Sequence, residues 1–456
     1  MNADEQESPT PNAEEPSENR TSVLRGSFTM GLATLIAMAA SLLITLLVAH
    51  LLGPDVKGQL TLLQTIPLIA ALILSFGFEG ANAYFVGRHG RSPRDAVADS
   101  LALTAGVSIV GIPVIAVIMR EFMPALAGVE LTTILLASAT LPLIVVTSLV
   151  SGVLTGQGRI TGQAVAIILA SVLFAVYALI LLFLDRFDLH SLTVATLISA
   201  VTGVIISLVA TGVMSLTCPS LSRMREQLSY AGRQHVQTVA GFLEMRQDLL
   251  FLGVLASPAA VGIYSIGVSF AELAFYAPAA IAAALTARTL QEDAPTGAEI
   301  SARITRLLVA ILAVMSIVLV VVAEPLVVLV FGEQFAPASI VIAILIPSIT
   351  LWGVASQPAA YLSAHGVLFP KLSIFTLILN LVLNIAMIPP LGILGAAIAT
   401  AISYAVSGFY IIGVFMQRTG IPLSGLLLMN GEDVRYAYSA VRGLISRKGR
   451  EQPTEG

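Results

Sequence analysis

The chain has 456 residues, of which 57% are hydrophobic and only 11% are charged, and its mean hydropathy is +0.92. Soluble proteins carry roughly a quarter charged residues, so this composition excludes an ordinary water-soluble enzyme. The long apolar runs also exclude an outer-membrane barrel, whose strands alternate apolar and polar residues. One cysteine, Cys218, and five scattered histidines exclude a disulfide framework and indicate neither a metal site nor a catalytic centre.

The first 22 residues differ from the rest of the chain. They contain six acidic residues, three prolines and a single base, Arg20. Such a segment cannot bury enough apolar surface to fold, so we expect a disordered acidic tail. It lacks the basic start and the apolar stretch of a signal peptide, so the first hydrophobic segment is predicted to remain as an uncleaved helix.

Twelve segments are long and apolar enough to cross a membrane. A spanning helix needs about 20 apolar residues to cross roughly 30 Å of hydrocarbon, and inside lipid a helix satisfies its own backbone groups. The predicted spans are 28–52, 61–86, 98–119, 132–153, 164–184, 191–214, 234–256, 260–286, 304–323, 339–362, 370–389 and 395–417. The predicted fold class is therefore an all-α polytopic membrane protein with about twelve transmembrane helices.

The basic residues predict the orientation. With a cytoplasmic N-terminus, 19 of the 23 Lys and Arg residues fall on the cytoplasmic side. Only Lys57, Arg120 and Arg186 fall on the other side, and Arg246 lies inside a span. Because cytoplasmic loops carry an excess of Lys and Arg, we expect both termini in the cytoplasm and an even number of spans.

The second half of the chain repeats features of the first. LLGPDVKGQL (51–60) aligns with LASPAAVGIY (255–264), so that Pro54 and Gly58 match Pro258 and Gly262 at an offset of 204. Residues 194–199 match 398–403 at the same offset, and 154–160 match 362–368 at an offset of 208. Three matches in register favour a duplication into two pseudo-symmetric six-helix lobes, as in transporters that bind substrate between parallel repeats.

This duplication predicts five regions along the chain. They are a disordered acidic cytoplasmic tail (1–22), an N-terminal six-helix lobe (23–217), a cytoplasmic inter-lobe linker (218–233), a C-terminal six-helix lobe (234–419) and a basic cytoplasmic tail (420–456).

Four short motifs carry a family resemblance. They are Leu51-Leu-Gly-Pro-Asp-Val-Lys-Gly58, Arg246-Gln-Asp248 followed by Val261-Gly-Ile-Tyr264, Phe331-Gly-Glu-Gln-Phe335, and Gly392-Ile-Leu-Gly-Ala-Ala-Ile-Ala-Thr400. In their order and spacing, over about residues 25 to 420, the chain resembles the bacterial polysaccharide flippases. These form the O-antigen and exopolysaccharide branch of the multidrug/oligosaccharidyl-lipid/polysaccharide exporter superfamily.

The resemblance implies a function as well as a two-lobed, multidrug-exporter-like fold. The implied substrate is an oligosaccharide on an undecaprenyl diphosphate carrier, moved to the outer leaflet of the bacterial cytoplasmic (inner) membrane. Membrane lipids, a polysaccharide polymerase and chain-length proteins are the implied partners, without nucleic acid or cofactor. Span 1 lacks the acidic residue of several cation-coupled exporters, and the arginine and two extra C-terminal spans of the lipid II flippases are missing.

Charged residues inside a span are costly and mark functional sites. The polar residues of span 7 lie on one face at i, i+4, i+7 and i+11: Gln237, Gly241, Glu244 and Asp248. Span 8 repeats the spacing with Ser265, Ser269, Glu272 and Tyr276. Because the two spans are joined by a short turn, we expect the stripes to face one cavity. The candidate substrate-binding residues are Arg246, Asp248, Glu272, Glu244, Glu79, Ser269 and Tyr276.

Each candidate has a functional and a structural interpretation. Arg246 offers a bidentate fork to a diphosphate, with the acidic residues binding sugar hydroxyls or a coupling cation. Alternatively, Arg246 forms an internal ion pair with Glu272 or Glu79. Glu244 lies at the membrane interface if span 7 starts late, and Glu79 caps the basic loop that follows span 2. Asn380 and Asn384 of span 11 are predicted to link helices by hydrogen bonds.

Two other functions stay open at this point. A cation-coupled exporter of amphiphilic drugs would need acidic cavity residues without a phosphate-binding base, so Arg246 distinguishes the two transporters. A membrane polysaccharide polymerase or glycosyltransferase would need a sizeable loop or domain for its catalytic residues. The outward loops of this chain are short and nearly free of His and Asp clusters, which favours a transporter over an enzyme.

Overall fold

The computed structural model describes residues 16–289, 293–367, 369–433 and 435. The regular elements of this part of the chain are helices, with no strand among them. They are α1 (Pro16–Leu74), α2 (Phe78–Arg88), α3 (Pro93–Glu121), α4 (Leu131–Ser138), α5 (Thr140–Gly156), α6 (Ile160–Phe183), α7 (Leu189–Thr211), α8 (Leu221–Leu255), α9 (Pro258–Thr289), α10 (Ala294–Phe331), α11 (Ala338–Ala364), α12 (Pro370–Leu391), α13 (Ile393–Thr419) and α14 (Leu423–Leu427).

Ten of the helical segments are long and apolar enough to cross a membrane, which makes the chain a multi-pass membrane protein. The predicted first span and the start of the second share α1, and the charged α8 contains the predicted seventh span without being one of the ten. The all-α polytopic fold class is thereby confirmed. The count of twelve spans and the orientation of the termini stay predictions.

Helix α1 is a helical hairpin rather than one straight rod. Gly53 has non-helical angles (φ 76°, ψ −176°), which glycine adopts without a steric penalty. Ala37 and Gln64 line the same small cavity, although 27 residues of straight helix would separate them by about 40 Å. The chain therefore reverses at Gly53-Pro54, where the sequence predicted the first turn.

The turns between helices fall on two faces of the molecule. One face, here called the hairpin face, carries the turns at 53–55, 122–130, 184–188, 256–257, 332–337 and 392. The other, here called the linker face, carries the turns at 89–92, 157–159, 212–220 and 365–369. Hydrogen bonds between neighbouring turns fix this arrangement, for example from Ser220 N to Asp99 on the linker face and from Gln334 to the carbonyl of Ala49 on the hairpin face.

Two predicted spans are interrupted. Span 2 (61–86) is broken at residues 75–77, where Phe76 and Gly77 both have positive φ. The side chains of Ala231 and His235 on α8 pack against Gly77, so that a Cβ there would lie 2.9 Å from each. Span 4 (132–153) divides at Ala139, because Pro142 has no N–H to donate to the carbonyl of Ser138.

The two ends of the chain also differ from expectation. Helix α1 starts at Pro16, so residues 16–22 of the predicted disordered tail are helical, and residues 1–15 lie outside the described residues. Once a long apolar helix exists, each further residue adds a backbone hydrogen bond without a new nucleation cost. At the other end, α14 packs Leu426 into a buried cluster with Phe415, and residues 436–456 lie outside the described part.

The two lobes meet on the hairpin face through the repeated turn motif. A Cβ built on Gly58 would lie 1.9 Å from the carbonyl oxygen of Pro258, and one on Gly262 would lie 2.1 Å from that of Pro54. Asp55 adds a hydrogen bond by accepting from the backbone N–H of Ala259. The residues that revealed the repeat in the sequence thus form a reciprocal contact between the repeats.

Helix α8 connects the lobes on the linker face. Its first turns bind the N-terminal lobe, where Arg223 forms an ion pair with Asp99 at 2.7 Å and Gln227 donates to Asn82 at 2.6 Å. Further along, Gln247 donates to Asn380 of α12 at 2.7 Å. The predicted linker 218–233 is therefore mostly helical and attached to the N-terminal lobe, while the rest of α8 belongs to the C-terminal lobe.

Candidate functional site

The centre of the C-terminal lobe contains a bidentate ion pair. Arg246 of α8 donates from Nη1 to Glu272 Oε1 at 2.8 Å and from Nη2 to Oε2 at 3.0 Å. Both side chains keep some access, with exposed fractions of 27% for Arg246 and 15% for Glu272. The pair forms because α8 and α9 run antiparallel from the tight turn at Ser257, which brings these two positions opposite each other.

Three aromatic rings stand beside this ion pair. Phe275, Trp352 and Tyr404 come from α9, α11 and α13, and they stack in one row. The ring centroids of Phe275 and Trp352 are 4.2 Å apart at an angle of 11°, and those of Trp352 and Tyr404 are 4.9 Å apart at 17°. Together with Arg246 and Glu272 the rings line a pocket of about 230 Å³. The pocket therefore combines a charged pair with flat aromatic faces.

A larger cavity of about 1230 Å³ adjoins this pocket. Among the described residues, it is lined by α8 from Tyr230 to Met245 and by Pro370 at the start of α12. Met245 lines both spaces, so the aromatic pocket and the cavity are neighbours along α8. Gln237 and Gly241, which the sequence placed on the polar face of span 7, belong to the large cavity.

Asp248 lies away from this pocket. It is buried and accepts hydrogen bonds from the hydroxyls of Tyr264 and Thr400 and from the N–H of Leu249. Arg246 points in another direction, as the helical spacing predicted. With its oxygens occupied by α9 and α13, Asp248 has the contacts of a residue that joins helices.

Glu244 is buried against α12, where its carboxylate lies beside the hydroxyl of Thr376. Helix α8 begins at Leu221 rather than late, so the condition under which Glu244 was expected at the membrane interface is not met. One carboxylate oxygen, Oε1, has no hydrogen-bond partner among the described residues. Glu244 does not line the aromatic pocket.

Glu79 lines a different cleft, of about 460 Å³, inside the N-terminal lobe. It accepts a hydrogen bond from Ser148 of α5 at 2.6 Å. Ser151 and Gln163 of the same cleft are hydrogen-bonded to each other. Arg91 of the basic loop after span 2 forms an ion pair with Glu226 rather than with Glu79. The described residues therefore do not show Glu79 in its predicted role as a cap on that loop.

The remaining candidates do not complete the pocket. The hydroxyl of Ser269 donates to the backbone carbonyl of Ser265 within α9, and the side chain of Tyr276 lies outside the described residues. Asn380 links helices, because it donates to Thr400 of α13 at 3.3 Å and accepts from Gln247 of α8 at 2.7 Å. Asn384 donates to Asn380 at 2.7 Å within α12 itself, so the described residues show no link between helices through Asn384. Of the seven candidates, the structure brings Arg246 and Glu272 together.

A family model described as polysaccharide biosynthesis protein matches residues 23–287, which is more than half of the chain. The chain belongs to this family. A curated relative is the "Probable low-salt glycan biosynthesis flippase Agl15" of Haloferax volcanii, 27% identical over 201 residues. The match spans 42% of this chain and 42% of the relative.

Solved structures support the same fold for this polysaccharide biosynthesis family member. An inward-facing multidrug resistance MATE family transporter of the MOP superfamily superimposes with a TM-score of 0.68 at 17% identity, covering 84% of this chain and 94% of the other. The lipid II flippase MurJ, in an inward closed conformation, gives a TM-score of 0.66 at 12% identity, covering 91% and 96%. At such identities the likeness shows the fold alone.

Sequence reasoning missed the aromatic half of the pocket in this family member. Phe275 lies one turn beyond Glu272, and Trp352 is the only tryptophan of the chain. Neither feature indicates which face of the helix lines a pocket. The row with Tyr404 forms only when α9, α11 and α13 pack together. A signal did exist for Trp352, because a lone tryptophan in a span is a large side chain with one donor to satisfy.

Proposed function

We propose that this protein is a transporter that moves a polyprenyl-diphosphate-linked oligosaccharide across the membrane, from the linker face to the hairpin face. The observation that carries the proposal is the accessible Arg246–Glu272 pair beside the aromatic row, in a pocket that adjoins the large cavity at Met245. The positive-inside count makes the linker face cytoplasmic. Family membership and the flippase-like fold point to the same class of protein.

The ion pair suits an anionic ligand that arrives and leaves. A guanidinium binds phosphate oxygens through two parallel hydrogen bonds, and in this structure the carboxylate of Glu272 occupies that fork. Carboxylate and phosphate can therefore exchange on Arg246 without leaving its charge unpaired inside the lobe. The released Glu272 can accept hydrogen bonds from sugar hydroxyls next to the diphosphate.

The aromatic row suits the rest of such a ligand. Flat rings offer apolar surface with little conformational entropy to lose, and the Trp352 and Tyr404 rings lie nearly parallel. Trp352 is covered on both faces by its two neighbours, so the apolar C–H face of a pyranose ring can lie against the outer face of Phe275 or Tyr404. The polar rim of the sugar then faces the ion pair, so one pocket serves both chemical parts of the headgroup.

The energy of desolvation explains why such a substrate needs a protein. Moving one unpaired hydroxyl into an alkane-like medium costs roughly 4–8 kcal/mol, so a sugar with several hydroxyls and a diphosphate faces a barrier of tens of kcal/mol. A polar route between two lobes removes most of this barrier while the polyprenyl chain stays in lipid. We infer alternating access, in which the lobes rock about the contact on the hairpin face.

The experiment is a gene deletion in the source organism, with measurement of lipid-diphosphate oligosaccharide in the membrane and of polysaccharide at the cell surface. The intermediate accumulates and the surface polymer falls. A plasmid copy with Arg246→Ala restores transport about 10- to 100-fold less well than the unchanged gene, because hydrogen bonds to a charged group contribute about 1.5–3 kcal/mol each.

The matched control is Arg186→Ala, which removes an exposed arginine on the hairpin face and restores transport fully. Expression of every variant is checked by immunoblot. Unchanged glycolipid together with new sensitivity to cationic drugs contradicts the proposal and favours the multidrug exporter. An undecaprenyl carrier and a bacterial inner membrane are part of the proposal, and the mass of the accumulated lipid tests the carrier.

A further inference from the structure

A second cavity with a cationic residue lies in the N-terminal lobe. It measures about 130 Å³ and lies beside the hairpin turn of α1. Half-buried Lys57 lines it together with four polar side chains: Ser41, Thr45, Gln64 and Ser171. Since a water molecule takes about 30 Å³ of liquid volume, this space suits a small polar group rather than a sugar.

Lys57 has no acidic partner within 4 Å among the described residues. Its ammonium donates one long hydrogen bond, of 3.3 Å, to Thr61. The nearby Asp55 is used elsewhere, because it accepts from the N–H of Ala259 in the contact between the lobes. A half-buried ammonium without a counter-ion is costly, so the cavity has the charge and the donors to attract an anion.

The internal repeat indicates that the turn itself does not require this lysine. Lys57 corresponds at the offset of 204 to Val261, which precedes Gly262 as Lys57 precedes Gly58. Val261 is fully buried in the core. An apolar residue therefore serves the same turn and the same close contact in the second lobe. A charge at this position of the first lobe calls for a role outside the turn.

The Lys57 cavity lies next to the cleft that contains Glu79. Ser171 of α6 lines both spaces. Along α6, Gln163 and Ile167 line the cleft, and Phe174 lines the Lys57 cavity, so one face of this helix runs past both. The Glu79 cleft and the Lys57 cavity therefore follow one another along α6 within the N-terminal lobe.

We propose that Lys57 forms a second anion subsite, which takes the phosphate groups of the substrate in the half of the molecule next to the hairpin face. This inference rests on the proposed function, in which Arg246 holds the diphosphate within the C-terminal lobe. Lys57 then receives it on the other lobe before release. A free polyprenyl diphosphate and an anionic phospholipid offer the same chemistry, and the experiment separates them.

The experiment uses the three lysines of the chain, Lys57, Lys371 and Lys448. The full-length protein in phosphatidylcholine nanodiscs is treated by reductive methylation, and each lysine is quantified by mass spectrometry with and without farnesyl diphosphate or inorganic diphosphate. At roughly ten times the Kd, either ligand lowers the methylation rate of Lys57 about tenfold. The rate at Lys448 does not change, which makes it the internal control. Lys371 follows Pro370 of the large cavity, so its rate reports on diphosphate near the first site.

A second arm replaces a third of the phosphatidylcholine by phosphatidylglycerol. Protection of Lys57 by the diphosphates but not by phosphatidylglycerol supports the subsite. Equal protection by the phospholipid, or protection by neither probe, overturns it. Sodium chloride at matched ionic strength serves as the salt control, because screening alone weakens every charged contact.

Three variants connect the subsite to transport. Lys57→Val copies the residue of the second repeat and is expected to fold, and Lys57→Gln keeps the length of the side chain. Both transport poorly in the complementation assay, whereas Lys57→Arg retains transport. Normal transport by Lys57→Val contradicts the subsite alone. Protection of Lys57 combined with unchanged glycolipid in the deletion strain contradicts the proposed function and leaves the anion subsite in place.

Discussion

At the scale of single residues, Arg246 and Glu272 have the geometry that each of the two interpretations from the sequence requires, and binding of a diphosphate stays a prediction. The pair is internal, as the structural interpretation requires, and it lines a pocket, as the functional one requires. A buried pair contributes little net stability relative to a neutral replacement, but removal of one partner leaves an unpaired charge. Stability and transport should therefore respond differently to single and double substitutions.

We expect Arg246→Gln or Glu272→Gln alone to lower the free energy of unfolding by about 1–3 kcal/mol, less than for a fully enclosed pair because both side chains keep some exposure. The double variant should recover most of this loss, since two amides can hydrogen-bond without charge, yet it should not transport. Thermal unfolding in detergent and the glycolipid assay measure the two properties. A double variant that recovers both would show that the pair only joins helices.

The hydrogen-bond partners of the acidic residues of α8 could not be predicted from the sequence. Helical spacing correctly separated Arg246 from Glu244 and Asp248. It could not tell that Asp248 would meet Tyr264 and that Glu244 would meet Thr376, because those partners come from α9 and α12. Side-chain partners between helices depend on which faces pack, and the periodicity of one helix does not contain that information.

At the scale of elements, the linker-face end of α10 holds the chain segment after α13. Arg306 donates to Asp433 from Nε at 2.6 Å and from Nη2 at 2.9 Å, and Arg303 lies 3.4 Å from the same carboxylate. Asp433 is fully buried in this contact. The hydrogen bonds from Arg306 hold the pKa of Asp433 below its ordinary value of 3.8. The predicted basic tail is thus docked at its start by an acidic residue.

Because the folded pKa of Asp433 is depressed, its stabilising contribution is complete above the ordinary value and is lost as the pH falls through the folded value. A spin label at exposed Leu428, in a Cys218→Ser background, should be immobile from pH 8 to 5 and become mobile only below about pH 4. Asp433→Asn should mobilise the label already at pH 7.

Glu432→Gln is the matched control for this prediction, since Glu432 is an exposed neighbour that lies 3.8 Å from Arg303. It should leave the label immobile at pH 7. Electron paramagnetic resonance line shapes report the mobility without the pH-dependent exchange chemistry of amide measurements. Equal mobility of the label in the Asp433→Asn variant and the unchanged protein would contradict a docking role for the aspartate.

The helices themselves could be predicted well from hydropathy, because a membrane span contains about 20 consecutive apolar residues. The lengths by which the helices extend beyond the apolar segments could not be predicted in this way. Helix α8 starts at Leu221 rather than at residue 234, because its charged first turns find partners on the other lobe, such as Asp99 for Arg223. A hydropathy window treats those charges as the end of a span, whereas tertiary ion pairs allow the helix to continue.

At the scale of the whole molecule, the internal repeat predicted more than a duplicated topology. It identified the residues through which the halves touch, since Gly58 and Gly262 lie against Pro258 and Pro54. The expected position of the binding site between the lobes agrees only in part with the cavities of the structure. The aromatic pocket belongs to α8, α9, α11 and α13 of the C-terminal lobe, and the N-terminal lobe has its own cleft and its own cationic residue. The two repeats therefore share their turns but differ in the side chains that line their cavities.

The contact on the hairpin face must open if the lobes rock. A Cβ at Gly58 or Gly262 would come within about 2 Å of a backbone carbonyl that cannot rotate away. Overpacking of this kind costs about 1–3 kcal/mol, which lowers the population of the closed arrangement about 5- to 150-fold. Gly58→Ala and Gly262→Ala should each shift the protein towards an open hairpin face.

Spin labels at Arg186 and Leu391, which are exposed on the hairpin face of the two lobes, measure this opening by double electron–electron resonance in the Cys218→Ser background. Both alanine variants should lengthen the distance between the labels. Gly413→Ala is the matched control, because a Cβ there meets no atom within 4 Å, and its distance should stay unchanged. Because the contact is reciprocal, the two variants should act alike, and a response of only one would contradict pseudo-symmetric closure.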